Sequence, residues 1–192
     1  MKLNKLTVLL ICLFFMQMGL VAVYGYYLYD GKWPITEVSY LDYYDMSTVS
    51  QIPTSVSDWN GENIKLNLDE IYNPEYAQVY FSDWSDSNDW GCAIHNGDEI
   101  DGYDDATYFS CDILLNKEML DDYSKDSDFR QGLVTHEIGH CYGLDHNNDE
   151  SDPPAYSAVS VMNWSIQKVH DDGKYTVQSV DVSAINSKYG AP

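Results

Sequence analysis

His136-Glu137-Ile138-Gly139-His140-Cys141-Tyr142-Gly143-Leu144-Asp145-His146 is the stretch on which the reading of this chain turns. It has the form H-E-x-x-H-x-x-G-x-x-H. In a helix, His136 and His140 lie one turn apart on the same face, where two imidazoles can converge on one metal ion. Glu137 is turned roughly 100° from His136, so it can flank a metal without ligating it. Gly143 is the natural end of the helix, because glycine enters the left-handed conformation at little cost. Beyond that turn the chain can bring His146 back as a third ligand. Three imidazoles leave one tetrahedral position for water, the arrangement of a catalytic zinc and not of a closed structural one. A bare H-E-x-x-H recurs by chance, but a glycine and a third histidine at fixed spacing make coincidence a poor account.

Ser160-Val161-Met162-Asn163-Trp164 follows downstream and places a methionine where it can form an apolar floor beneath the three imidazoles. Met162 is not expected to be a ligand, and its reading as ordinary core differs little from this.

The chain opens differently. Lys2 and Lys5 precede an apolar run from Leu6 to Val23, and Val23-Tyr24-Gly25 puts small residues where a cleavage site needs them. Residues 1–25 read as a secretory signal peptide cut after Gly25. The alternative is an uncleaved anchor, since residues 6–23 are just long enough to span a bilayer. Residues 26–192 then form one domain, long enough for a sizeable core. Losing Lys2 and Lys5 takes the formal charge from −21 to −23. Such a surface repels phosphate backbones and anionic membranes, so nucleic acid is excluded as a partner and a membrane enters only through an uncleaved leader. With 17 tyrosines and 5 tryptophans the acidity does not signal disorder.

Three cysteines remain after processing. Cys141 falls on a helical stripe with Val134 and Ile138 and reads as a buried thiol. By elimination, Cys92 and Cys111 would form one disulfide in an oxidising compartment, a separation that permits the bond without demanding it. Strands are expected over Thr36–Tyr44, Asn63–Leu68, Ala77–Phe81, Gly91–His95 and Tyr108–Leu115. A helix is expected to end near Trp59. A second, capped by Ser127 or Asp128, carries the histidines over Phe129–Tyr142, and a third runs over Ser179–Tyr189.

On these motifs the chain resembles the matrixins, the metzincin family that includes the matrix metalloproteinases. The zinc motif and the methionine carry most of the likeness. Trp33-Pro34-Ile35-Thr36 with Tyr40 is similar to the family's opening strand, Ile113-Leu114-Leu115-Asn116 to the strand before the active-site helix, and Asp181-Val182-Ser183-Ala184-Ile185 with Tyr189-Gly190 to its closing helix. The resemblance implies an α+β metzincin fold, a twisted five-stranded mixed sheet with three helices. It further implies one catalytic zinc on His136, His140 and His146, and endopeptidase activity with Glu137 as general base. The protein substrate would lie extended along an edge strand, with Asn163 and Trp164 walling the pocket beside the cleaved bond, and the enzyme is expected to be a secreted monomer.

Some family features are missing. There is no Pro-Arg-Cys-Gly pro-segment, and only His95 and His170 are left over for a second, structural zinc. Calcium is possible at Asp98, Glu99, Asp101, Asp104 and Asp105, although such runs are usually solvated loops. Within residues 26–32 only Asp30 offers a carboxylate that could reach the metal. The simpler expectation is a peptidase competent once exported and metallated. Two other readings stay open: a zinc hydrolase of cell-wall peptide cross-links, and a zinc-bearing binding module without turnover.

Overall fold

The computed structural model describes residues 28–42, 49–84, 89–99, 107–147 and 159–192. Side chains of Asp98 and Glu99 are not described. The proposed leader and the acidic residues 101–105 lie outside this set.

Alternation of apolar and polar residues builds the sheet. β1 (Glu37–Asp42), β2 (Asn67–Glu70), β3 (Val79–Asp83), β4 (Gly91–His95) and β6 (Cys111–Leu115) are ordered β2-β1-β3-β6-β4, and a two-residue strand β5 (Asp98–Glu99) adds to the outside of β4. β1, β2, β3 and β6 run parallel, whereas β4 is antiparallel to β6. The sheet is thus mixed, as expected. Val38, Tyr40, Leu68, Val79, Phe81, Ala93, Cys111, Ile113 and Leu115 are buried along it. Successive side chains alternate between faces, so these residues define the side on which the helices pack.

Five α-helices occur among the described residues: α1 (Ile52–Asn60), α2 (Lys117–Asp122), α3 (Ser127–Cys141), α4 (Ile166–Asp171) and α5 (Ser179–Tyr189). Three were expected. The two additional ones, α2 and α4, have six residues each, too few for a helical period to stand out in the sequence. Both are fixed by side-chain caps, Asn116 accepting from the Met119 amide and Ser165 from the Lys168 amide. α3 begins at Ser127, two residues earlier than its expected start, because Asp126 and not Ser127 or Asp128 is the cap, its carboxylate accepting from the Phe129 amide at 2.9 Å. β2 starts four residues later than expected. The Asn60 side chain ends α1 and pairs with both the amide and the carbonyl of Leu68, at 2.9 and 2.8 Å, so residues 61–65 are spent on the turn.

α1 lies against α3. The buried Trp59 indole donates to the Thr135 carbonyl at 3.0 Å, and the Thr135 hydroxyl to that of Ser55 at 3.0 Å. The apolar side chains of sheet and helices form one continuous cluster. No helix among the described residues is long and apolar enough to cross a membrane.

The disulfide is not the one expected. Cys111 bonds to Cys141, with their Cα atoms 5.8 Å apart, and Cys92 takes no part. The reason is the parity of the sheet. Cys111 is opposite His95 on β4, whereas Cys92 is opposite Leu114, so the two sulfurs of adjacent strands point to opposite faces. Cys111 faces the helices, and there it meets Cys141 on the inward stripe of α3. Both are fully buried.

Candidate active site

α3 carries His136, Glu137 and His140 on its last two turns and ends at Cys141. The Gly143 amide bonds to the His140 carbonyl at 2.7 Å and the Leu144 amide to the Gly139 carbonyl at 3.0 Å. This pair of bonds is the Schellman closure, which needs a left-handed residue after the cap, and Gly143 has φ +84°. A side chain there would also collide with Lys188 of α5, whose Cε would be 2.6 Å from the new Cβ. The turn reverses the chain and returns His146 to the end of the helix.

The three histidines converge. The Nε2 atoms of His136 and His140 are 2.9 Å apart and those of His136 and His146 are 3.2 Å apart. On the other side of its ring, Nδ1 of His136 lies 2.7 Å from the Val161 carbonyl, and Nδ1 of His140 lies 2.8 Å from that of Leu144. A carbonyl only accepts, so each Nδ1 carries the proton and each Nε2 turns a lone pair into the cluster. Burial, and then the neighbouring imidazoles, push His136 far below the usual range and His140 down to about 3. Neutral imidazoles are the form a metal takes.

Glu137 stands beside this cluster and is buried, with Oε2 making no hydrogen bond. Burial, reinforced by Asp89, raises its carboxyl to about 8. Its space comes from the start of β4. A Cβ on Gly91 would fall 2.9 Å from Oε1 of Glu137, so a larger residue would displace the carboxylate.

Beneath the cluster lies Met162, fully buried. A Cβ on Gly139, between the two helical histidines, would be 2.3 Å from its sulfur. The methionine turn is tied down from two sides. Ser160 donates its hydroxyl to the buried carboxylate of Asp181 on α5 and accepts from the Met162 amide at 2.7 Å. The Asn147 amide, just past His146, donates to the Met162 carbonyl at 3.0 Å.

The matrixin family matches the sequence over residues 53–190. The chain belongs to the matrixin family. Among solved structures, that of myroilysin resembles it with a TM-score of 0.57 and 12% identity, over 88% of this chain and 100% of that one, a likeness of fold alone. No curated protein matches it in sequence. Matrixins are zinc metalloproteases, and the cluster fits that metal. Tetrahedral zinc with bonds of 2.0–2.1 Å sets its nitrogens about 3.3 Å apart. The inward lone pairs of His136 and His140, 2.9 Å apart, repel unless a cation lies between them.

A second group of metal-ligating types, His95 with Cys111 and Cys141, is accounted for by the disulfide. His95 stacks on Tyr108 with ring centroids 3.8 Å apart and faces the Cys141 carbonyl at 3.0 Å. His170 sits elsewhere, on α4 against Asp126 and Asp171. Asn163 is buried and Trp164 partly exposed immediately after Met162. Of the residues suggested for calcium, Asp98 and Glu99 form β5, and the rest fall outside the described residues.

Sequence reasoning did not find the strap formed by residues 28–33. The Tyr29 amide donates to the Gly143 carbonyl at 3.1 Å, and Leu28 pairs with Leu144. The amine of Lys188 binds the Tyr29 carbonyl, and the Trp33 indole donates to the Cys141 carbonyl at 2.8 Å. These are contacts across most of the chain, and no local pattern announces them. Asp30 is exposed on the same strap.

Proposed function

We propose that the protein is a secreted zinc endopeptidase, with His136, His140 and His146 as ligands and Glu137 as general base. The observation that carries this reading is the carboxylate of Glu137, buried beside three inward-facing imidazole nitrogens with one oxygen unbonded. Zinc, when bound, acts as a Lewis acid toward the scissile carbonyl and makes its water acidic near neutral pH. The Glu137 carboxylate, its ionised form favoured by the charge of bound zinc, takes the proton of the attacking water and delivers it to the leaving amine. His136 and His140 keep their orientation through the Val161 and Leu144 carbonyls, so neither ring must reorganise during the reaction.

The β4 edge supports an extended substrate. β5 pairs only with Ile94 and His95, which leaves the Gly91–Ala93 side beside Glu137 available for main-chain pairing among the described residues. Asn163 and Trp164 wall the pocket next to the cleaved bond. The Cys111–Cys141 bridge supports an oxidising compartment, which a signal peptide cut after Gly25 would give access to.

The test is Glu137→Gln, with Glu137→Ala beside it. Both variants should retain one zinc by mass spectrometry and lose cleavage of unfolded casein by about 10²–10⁴-fold. Near-normal cleavage would overturn the mechanism. A wild-type protein inert on casein but active on cell-wall peptides would move the substrate to peptide cross-links, and one inert on both would leave a binding module.

A further inference from the structure

The side chain of Tyr29, on the strap, reaches the histidine cluster. Its ring centroid lies 6.0 Å from that of His140, tilted by 41°. Its hydroxyl donates to Oδ1 of Asp145 at 3.3 Å. That same oxygen accepts from the backbone amide of His146 at 2.6 Å. Tyr29 is itself held at both backbone atoms, its amide on the Gly143 carbonyl and its carbonyl on the Lys188 amine. A side chain fixed this way has little freedom to lose when it orders a neighbour.

His136 and His140 stand on a helix, but His146 stands on the loop beyond Gly143. Rotation of the His146 backbone would move its ring away from the other two. The Asp145 carboxylate restrains that rotation, and the Tyr29 hydroxyl restrains the carboxylate. We infer that Tyr29 is a positioning residue for the metal centre, holding the third ligand, His146, in place through Asp145 while its ring shields His140. This rests on the reading of the three histidines as the ligand set. It implies that maturation must leave Leu28 and Tyr29 on the chain, as cleavage after Gly25 does.

Groups that orient metal ligands from behind change affinity by 10–100-fold when removed. The 3.3 Å contact is long for a hydroxyl–carboxylate bond, so the lower end applies. Tyr29→Phe keeps the ring and removes only the hydroxyl, and it should weaken zinc binding about tenfold in a competition titration against a chromogenic chelator. Asp145→Ala, which also loses the bond to the His146 amide, should weaken it at least as much, and the double variant no further than Asp145→Ala. The cobalt-substituted Tyr29→Phe protein should show a shifted visible absorption band, a sign of altered ligand geometry that a loss of general packing does not give.

Zinc affinity within twofold of wild type together with an unchanged cobalt spectrum would overturn the inference. So would a Tyr29→Phe protein that cleaves faster with unaltered zinc affinity, which would make the strap an inhibitory cover. Neither result touches the proposed peptidase activity. A wild-type protein that holds no zinc would overturn both.

Discussion

Replacing Cys111 and Cys141 together by alanine tests the reassigned disulfide and sizes its part in the fold. The bridge spans 30 residues, and the loop-entropy relation gives about 3.6 kcal/mol at 25 °C for a loop of that length. Removal of two buried sulfurs adds roughly 1 kcal/mol of lost packing. The expected loss of about 4–5 kcal/mol is a large fraction of the 5–15 kcal/mol that holds a typical domain together. It should lower the melting temperature by about 10–15 °C. Cys92→Ala should cost less than about 1 kcal/mol, since its half-buried sulfur takes no part in the bridge.

The assay is urea unfolding followed by tryptophan fluorescence. Trp59 and Trp33, both buried and bonded to the Thr135 and Cys141 carbonyls, report on the helix that carries the histidines. Free zinc must be fixed throughout, because a metal that binds only the folded state adds stability by mass action. Free energies are to be compared and not midpoints, because a chain without the cross-link exposes more surface on unfolding and its slope rises. The Cys92–Cys111 pairing would close a shorter loop worth about 3.2 kcal/mol by the same relation. The two pairings therefore differ in which cysteine matters and hardly in size. A Cys92→Ala protein destabilised by 3 kcal/mol, or a non-reduced peptide map joining Cys92 to Cys111, would refute the parity argument.

Gly139→Ala should place a methyl where the Met162 sulfur now lies, 2.3 Å away, costing about 1–3 kcal/mol and loosening zinc; differential scanning with a zinc titration would detect it, and an unchanged protein would show that the methionine turn is free to retreat. Asp181→Ala should cost about 2–3 kcal/mol, because the carboxylate receives the Ser160 hydroxyl and the Gln178 amide in a buried setting; a loss under 0.5 kcal/mol in urea would dismiss it as an anchor. His170 is pulled down by burial but raised more by Asp171 and Asp126. Its stabilisation is accordingly complete below about pH 6.5 and lost as pH rises through the elevated value. Because both carboxylate partners are exposed and screened by solvent, His170→Gln should remove only about 0.3 kcal/mol at pH 6 and less at pH 8; a difference independent of pH would mean the ion pairs contribute nothing.

The metal cluster was legible because its information is local. His136, Glu137, His140, Gly143 and His146 lie within three helical turns, and each is placed by its spacing from the next. The strands were legible for the same reason, their period of two surviving in the core-facing residues. What failed was nonlocal. Elimination paired Cys92 with Cys111 because spacing says nothing about which sheet face a residue takes. One register position decides that. The short helices α2 and α4 failed differently, since six residues hold fewer than two turns and their caps, Asn116 and Ser165, look like loop residues in sequence. Gly91 gives no signal at all. Its need for a missing side chain exists only because Glu137 is folded onto it.

The strap and α5 come from opposite ends of the domain and meet beneath the Gly143 turn. Lys188 passes so close to Gly143 that a methyl there would push its side chain aside, and its amine binds the carbonyl of Tyr29. Tyr189 donates its hydroxyl to the Tyr142 carbonyl at 3.0 Å and accepts from the Trp33 amide at 3.3 Å. The turn that presents His146 is therefore clamped by residues separated by more than 150 positions. Burial lowers the Lys188 amine to about 8, which fits a cation drawn out of water to make this closure. A helix can place two ligands by itself, but a third carried on a loop is held only as firmly as the loop. In this fold that firmness comes from both termini, so a chain lacking either the strap or α5 would keep His136 and His140 aligned on α3 and lose the restraint on His146.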